Sequence, residues 1–437
     1  EPAAGDVYVV NDPYSGGTHL PDITLVSPMT VERSTIGYAV TRAHHSDVGG
    51  MSPGSMPGNS RDIYQEGLII PPVKLVAAED YVHDVLALLL ANTRTPAVRR
   101  GDLRAQIAAN QIAEQRLTEL IARRGPELVS IAFEEVIAYA ARRTRDALES
   151  LPDGRFTATG ELEGDGTSTD DVRLEVAATI EGDAMIVDFE GTAPAVAGNV
   201  NCPLAVTRSA CYFALRVLLP PDVLANAGVY EPLAIVAPLG SVVNASSPSA
   251  VVAGNVETSQ RIADTVLLAL AEATELPAQG QGTMNNLVIG GKGWTYYETI
   301  GGGQGASETA PGASGIHVGM SNTLNTPIES LELEYPLRVE RYELLYGSGG
   351  RGRHAGGDGI VRTVRVLEPS SLSLLSERRR RGPLGRAGGG SGSPGVNLLN
   401  DEVLPAKVSR ELDAEDVVSV RTPGGGGYGQ PSGPNDE

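Results

Sequence analysis

Six histidines stand in the 437-residue chain, and three of them, His19, His44 and His45, fall early in it. His19 precedes Asp22 by three residues in GGTHLPD, and the other two stand side by side in AHHSDVGG. Imidazole with carboxylate is the donor set of zinc and manganese sites that keep positions open for water or substrate. Pro21, between His19 and Asp22, argues against a helix interior there. On a strand, residues three apart would face opposite sides. A turn after Gly16 and Gly17 is therefore what would bring both side chains onto one ion. His44 and His45 end a strand-like run whose neighbours alternate faces, so only one of the pair is expected to ligate. The other would support the site from behind or move protons. Asp12 and Asp47 lie close by in sequence. The competing reading is two polar loops with unrelated histidines, since neither a zinc-finger spacing nor His-Glu-x-x-His occurs.

Other stretches carry less chemistry. His317, in GIHVGMSNTLNTP, has Asn322 close behind; the pair would line a substrate-binding polar pocket or hydrogen-bond within a structural loop. GSGGRG at 347–352 spells G-x-G-x-x-G, but loop residues follow it where a dinucleotide site needs a helix. No Gly-x4-Gly-Lys-Ser/Thr occurs, so no cofactor-binding loop is assigned here. Arg378 to Arg381 form an RRRR run. It could bind an anion, and a solvated or partner-facing charge run is the preferred expectation. Cys202, in NVNCP, is expected as a buried small residue rather than a nucleophile. His83 and His354 read as peripheral.

These side chains need a scaffold, and the expected class is α+β (mixed α/β). DVYVV, DITLVSPM and IGYAVTRA alternate or run β-branched between Pro, Gly, Asn and Ser, so residues 1–83 are expected as a β-rich segment with the metal-site loops. Over 84–151, apolar residues at three and four spacing predict helices, the second opening at Gly101-Asp102 and closing at RRG. Residues 152–345 read as a mixed region. Period-two strands with Glu-Gly-Asp turns come first, and helices follow at VTRSACYFALRVLL and SQRIADTVLLALAEAT. Residues 346–437 read as β-rich, ending in PGGGGYGQP and a polar tail expected to fray.

The length allows two to four domains or one large multilayer unit. Aromatics are 4% of the chain, so the core must rely on Val, Leu, Ile and Ala, and 53 Gly with 29 Pro imply many tight loops. A net charge of -20 argues against nucleic acid or an anionic membrane as a broad partner. Two cysteines permit at most one bridge and favour a reduced, cytoplasmic compartment. No apolar run is long enough to predict a membrane span. The first residues lack a signal-peptide pattern and run straight into a strand, so the true start is expected further upstream.

The order of motifs is itself informative. GDVYVVNDPYSGGTHLPDITLVSP, AHHSDVGGMSPGSMPGNSRDIYQEGLIIPPVKL, VNCPLAVTRSACYFALRVL, NVETSQRIAD, YYETIGGGQGA, NTLNTPIESLELEYPLRVERYEL and TPGGGGYG occur in sequence. From about residue 5 to 429 the chain resembles the hydantoinase B/5-oxoprolinase family, which also includes large subunits of acetone and acetophenone carboxylases. The resemblance implies a B-type subunit working with an A-type ATPase subunit, which uses ATP to phosphorylate a carbonyl or enol oxygen. The B-type subunit would hold a divalent metal, zinc or manganese, where the activated compound is hydrolysed or carboxylated. The family's ligands map onto His19, Asp22 and His44, and a further carboxylate ligand of relatives lies upstream of this chain's first residue. Water with its pKa lowered towards about 7 by the metal would be the nucleophile. His45 or Asp47 would take its proton. The expected activity is ATP-dependent hydrolysis of a C–N bond in a small cyclic amide: a hydantoin, 5-oxoproline or a lactam. The alternatives are a ketone carboxylase subunit and a non-catalytic scaffold.

Overall fold

The computed structural model describes residues 2–31 and 34–431. Strands β1 (Val7–Val10), β2 (Asp22–Val31), β3 (Ser34–His44), β4 (Val73–Ala77) and β5 (Asp80–Tyr81) form an antiparallel sheet ordered β3-β2-β1-β4-β5. Alternation along β1 and β2 sends Val7, Val9, Ile23 and Leu25 into one core with Leu75. The β2–β3 hairpin sets its register so that the first residue of one strand, Asp22, faces the last residue of the other, His44.

Helices α1 (His83–Ala91), α2 (Pro96–Arg124) and α3 (Pro126–Glu149) follow. Helix α2 buries Arg99, Leu103, Gln106, Asn110, Leu117 and Ile121. These residues recur at three, four and seven, one stripe of a helix lying on β2 and β3. Two of the stripe's members are amides because they reach strand polar groups: Gln106 Nε2 donates to Ile23 O at 3.0 Å and Asn110 Nδ2 to Ser27 Oγ at 2.9 Å. The expected start at Gly101-Asp102 is corrected. The helix begins a turn and a half earlier with Pro96 in its first turn, where a fixed φ and a missing N–H cost nothing, and Gly101 lies in its interior. Gly125, at φ 82°, ends it as RRG suggested.

Strands β6 (Gly154–Glu163), β7 (Asp171–Glu181) and β8 (Ala184–Asp188) are antiparallel, and β9 (Leu233–Val236) joins β8 in parallel after helix α4 (Leu204–Leu218). Helix α5 (Ser259–Leu270) continues a π-helical turn, Gly254–Thr258, and packs on β6 and β7. This layer contains the largest core, with Leu162, Leu174, Leu215, Ile262 and Val266. Cys202 and Cys211 are buried in it as free thiols.

Strands β10 (Asn286–Gly291) and β11 (Trp294–Thr299), helix α6 (Ile328–Glu334) and strands β12 (Leu337–Leu345), β13 (Gly359–Val366) and β14 (Ser370–Leu375) come next. Strands β15 (Val396–Leu399), β16 (Glu402–Leu404), β17 (Lys407–Leu412) and β18 (Val417–Arg421) complete the order. They form two antiparallel sheets, β11-β10-β14-β17 and β12-β13-β18-β15-β16, around Leu287, Ile289, Val364, Leu372 and Val418. Each sheet takes strands from both sides of residue 346, so the β-rich region reaches back to Asn286.

The glycines of PGGGGYG do more than turn the chain. A Cβ on Gly424, Gly425, Gly426 or Gly427 would lie 1.9 to 2.2 Å from a backbone oxygen of Ser348, Gln304, Leu384 or Arg351. Backbone packs directly on backbone there, and Gly425 and Gly426 donate to Gly357 O and Gln279 O at 2.8 Å. Only glycine permits that approach. The tail expected to fray, 432–437, lies outside the described residues.

Candidate metal centre

GGTHLPD becomes the turn that its spacing suggested. Gly16 adopts φ 102° and ends a short 3-10 turn capped by Asp12, whose carboxylate accepts from Tyr14 N and Ser15 Oγ. Gly17 passes too close to the Asn11 carbonyl for any Cβ. His19 O then accepts from Asp22 N at 3.0 Å, and Pro21 O accepts from His45 N at 2.8 Å, closing the turn against the end of β3. Asn11 locks this loop from beneath, donating to Leu20 O and Leu68 O and accepting from Ile70 N.

Three donor atoms converge as a result. His19 Nε2 lies 3.0 Å from Asp22 Oδ1, His44 Nδ1 lies 3.1 Å from the same oxygen, and the two ring nitrogens are 3.2 Å apart. Ligands ~2.1 Å from one ion and roughly at right angles or tetrahedrally placed lie ~3.0–3.4 Å from one another. A proton bridges only two of three such atoms, whereas a cation accepts lone pairs from all three. The donor set therefore fits a divalent metal. Thr18 Oγ1 donates to the other Asp22 oxygen at 2.6 Å and fixes the carboxylate. Burial opposes the Asp22 charge, but His19 and then His44 outweigh it and hold the carboxyl well below its ordinary range. Burial lowers His44, which favours the neutral imidazole that ligates. His19 is 1% exposed and His44 28%, so the cluster opens on the His44 side.

Neighbours on a strand point apart, and His45 accordingly turns inward, where its Nε2 donates to Gln106 Oε1 of α2 at 2.9 Å. Burial lowers its pKa. Asp47 is fully buried and accepts from Gly49 N, Gly54 N, Arg94 N and Arg94 Nη1, the last at 2.9 Å. Its four bonds fasten the loop after β3 to the start of α2, and none reaches the cluster. His317 Nδ1 lies 3.1 Å from Ser321 Oγ of its own loop, and the Asn322 side chain is exposed. Among the described residues no hydrogen bond joins either of these two to the cluster.

Sequence reasoning missed three residues. Tyr297 of β11 stacks on His44, with ring centroids 4.8 Å apart at 28°, and donates to Asn286 Oδ1 at 2.7 Å. Arg99 of α2 is 7% exposed, with Nε and Nη1 unpartnered, beside Asp102. Gln106 completes the back of the site. A buried amide or arginine on an otherwise apolar helix stripe is a signal that could have found the last two; nothing local marks Tyr297. The RRRR expectation is corrected in half. Arg380 and Arg381 are solvated partners of Asp171, but Arg378 and Arg379 turn inward, the latter to Asn285 and Asn397. Buried carboxylates and amides nearby draw them in.

Residues 1–431 match the family described as Hydantoinase B/oxoprolinase. The chain belongs to that family. It is 38% identical to 5-oxoprolinase 1 of Arabidopsis thaliana over 97% of its own length and 35% of that protein, so it spans about a third of that relative. It is 34% identical to the B component of a D-/L-hydantoinase from Pseudomonas over 98% of its length and 76% of the relative. The ATP-dependent caprolactamase of Pseudomonas jessenii shares the fold with a TM-score of 0.90 and 29% identity, covering 98% of this chain and 78% of that one. No helix among the described residues is long and apolar enough to cross a membrane.

Proposed function

We propose that this chain is the metal-bearing subunit of an ATP-dependent hydrolase that opens the C–N bond of a small cyclic amide, working with an A-type ATPase subunit. The observation that carries the reading is the convergence of His19, Asp22 and His44 in a chain of this family. The names of three relatives support it: an oxoprolinase, the B component of a hydantoinase, and a lactamase described as ATP-dependent. A ring amide is a poor electrophile, and phosphorylation of its oxygen by the partner would supply a leaving group.

His19 Nε2, Asp22 Oδ1 and His44 Nδ1 would hold the divalent metal, zinc or manganese. Bound there, it would supply Lewis acidity that generates a water nucleophile at ordinary pH. Thr18 and the buried face of His19 keep the donors aligned. Tyr297 covers His44 and shields one side from bulk water. His45 and Asp47 act as supports in this reading: one anchors the strand end to α2, and the other anchors the following loop to Arg94.

The test is reconstitution with the ATP-using partner. Ring opening coupled to ATP hydrolysis is expected with at least one of a hydantoin, 5-oxoproline or a lactam, and its loss in His19→Ala. Bicarbonate-dependent ATP turnover with a ketone would replace this reading by the carboxylase. Metal-independent inertness across all of these would leave the scaffold.

A further inference from the structure

The buried half of the arginine run leads to a second site. Between β6 and α5 lies a cavity of about 220 Å³ whose lining includes Gln279, two carboxylates, Glu161 and Glu163, and three arginines, Arg261, Arg378 and Arg381. Arg261 and Arg378 have 4% and 6% of their surface exposed, and the Nε of each has no hydrogen-bond partner. Arg378 Nη2 also donates to Gln279 Oε1 at 2.8 Å, so each guanidinium is partly served, and the buried Nε–H left over on each costs free energy until an acceptor reaches it.

The carboxylates in and around the cavity already have partners. Glu163 accepts from the backbone N–H groups of Arg379, Arg380 and Arg381 at 2.7 to 3.1 Å. Glu161 pairs with Arg381 at 3.0 Å. Glu377 is bound by Lys407 and lies 3.9 Å from Arg261 Nη2. That leaves Asp264, which bonds Arg378 Nη2 at 2.7 Å and Arg261 Nη1 at only 3.4 Å. Two buried cations thus share one close carboxylate. Burial, and after it the charge of Arg261, push Arg378 down to about 10 against the opposing pull of Asp264.

We propose that this cavity is a binding site for a small oxyanion, a phosphate or carboxylate group, held by Arg261 and Arg378 with Arg381 at the rim. Guanidinium forks match both groups in geometry. The site stands on its own residues and does not depend on the metal-centre reading.

Calorimetric titration with inorganic phosphate and with acetate, at constant ionic strength, tests it. Saturable one-to-one binding of at least one anion is expected. Phosphate alone indicates a phosphate site, and acetate as well a carboxylate site. Arg261→Met is expected to weaken binding at least about 10-fold, Arg261→Lys less, and the exposed Arg381→Gln about 2–5-fold. Unchanged affinity in folded Arg261→Met overturns the proposal. Should that variant not fold, wild-type protein labelled with ¹⁵N-arginine decides. Two Nε–Hε signals are expected to move saturably with the anion, and their failure to move overturns the proposal equally.

Discussion

At the scale of single residues, the cluster predicts a sharp division among six histidines. His19→Ala and His44→Ala are each expected to lose bound metal, while exposed His83→Ala retains it, as metal analysis of the purified proteins will show. Retention by His44→Ala with loss in His45→Ala would exchange the roles of the pair. The His19–Asp22 spacing was legible because a proline and two glycines leave little besides a turn. Strand alternation limited the pair to one ligand without saying which. The family resemblance singled out His44, and the hairpin register, Asp22 opposite His44, is the physical arrangement that sets its ring beside that carboxylate. Tyr297 was illegible for a different reason: its partner lies some 250 positions away, and an aromatic on a strand has many uses. Its ring covers His44 while its hydroxyl serves Asn286. Tyr297→Phe should therefore keep metal, and Tyr297→Ala should weaken retention about 10-fold, read by competition with a chelator.

At the scale of elements, polar contacts in buried places attach the loops of the site to the frame. Asp47 is the clearest, with two backbone glycine donors and both the N–H and the guanidinium of Arg94. Arg94 is 30% exposed and stays solvated without its partner, so the loss is mainly that of buried backbone donors left unsatisfied, about 1–3 kcal/mol. Asp47→Ala is thus expected to unfold at distinctly lower urea concentration; a variant of wild-type stability that had lost only turnover would restore the proton-acceptor role. Glu66 ties the same region to the segment before α5, accepting from Val251 N, Val252 N and Ser60 Oγ at 2.9 to 3.1 Å. Burial pushes its carboxyl up to about 8. A raised pKa means the folded state holds the proton more tightly, so this group's contribution is complete below about 4.5 and is lost as pH rises towards 8. Glu66→Gln keeps the acceptor oxygen and cannot ionise. Its stability should gain on wild type between pH 5 and 8, by ~3 kcal/mol or less, in paired thermal scans. Periodicity revealed these helices and strands well. It misplaced the start of α2, because Gly101 resembles a boundary while Pro96 is one.

At the scale of the whole molecule, the candidate centre is assembled from parts that share no local sequence. A turn supplies His19, a hairpin supplies Asp22 and His44, and the C-terminal sheet containing β11 supplies the covering ring. Segment character along the chain was readable, but the sheets join strands across the expected boundary at residue 346, since strand pairing depends on which edges meet. Such an assembly couples occupancy to global stability. A ligand that binds only the folded state stabilises it by RT ln(1 + [L]/Kd), about 2.7 kcal/mol at a hundredfold excess over Kd. Chelation should therefore lower the unfolding midpoint of metal-loaded protein by about 3 °C or more, and re-added zinc or manganese should restore it. In His44→Ala the same chelator should shift nothing, because the three-donor face is broken. Equal chelator sensitivity in both proteins would place the stabilising ion elsewhere, and would separate the fold's stability from His19, Asp22 and His44.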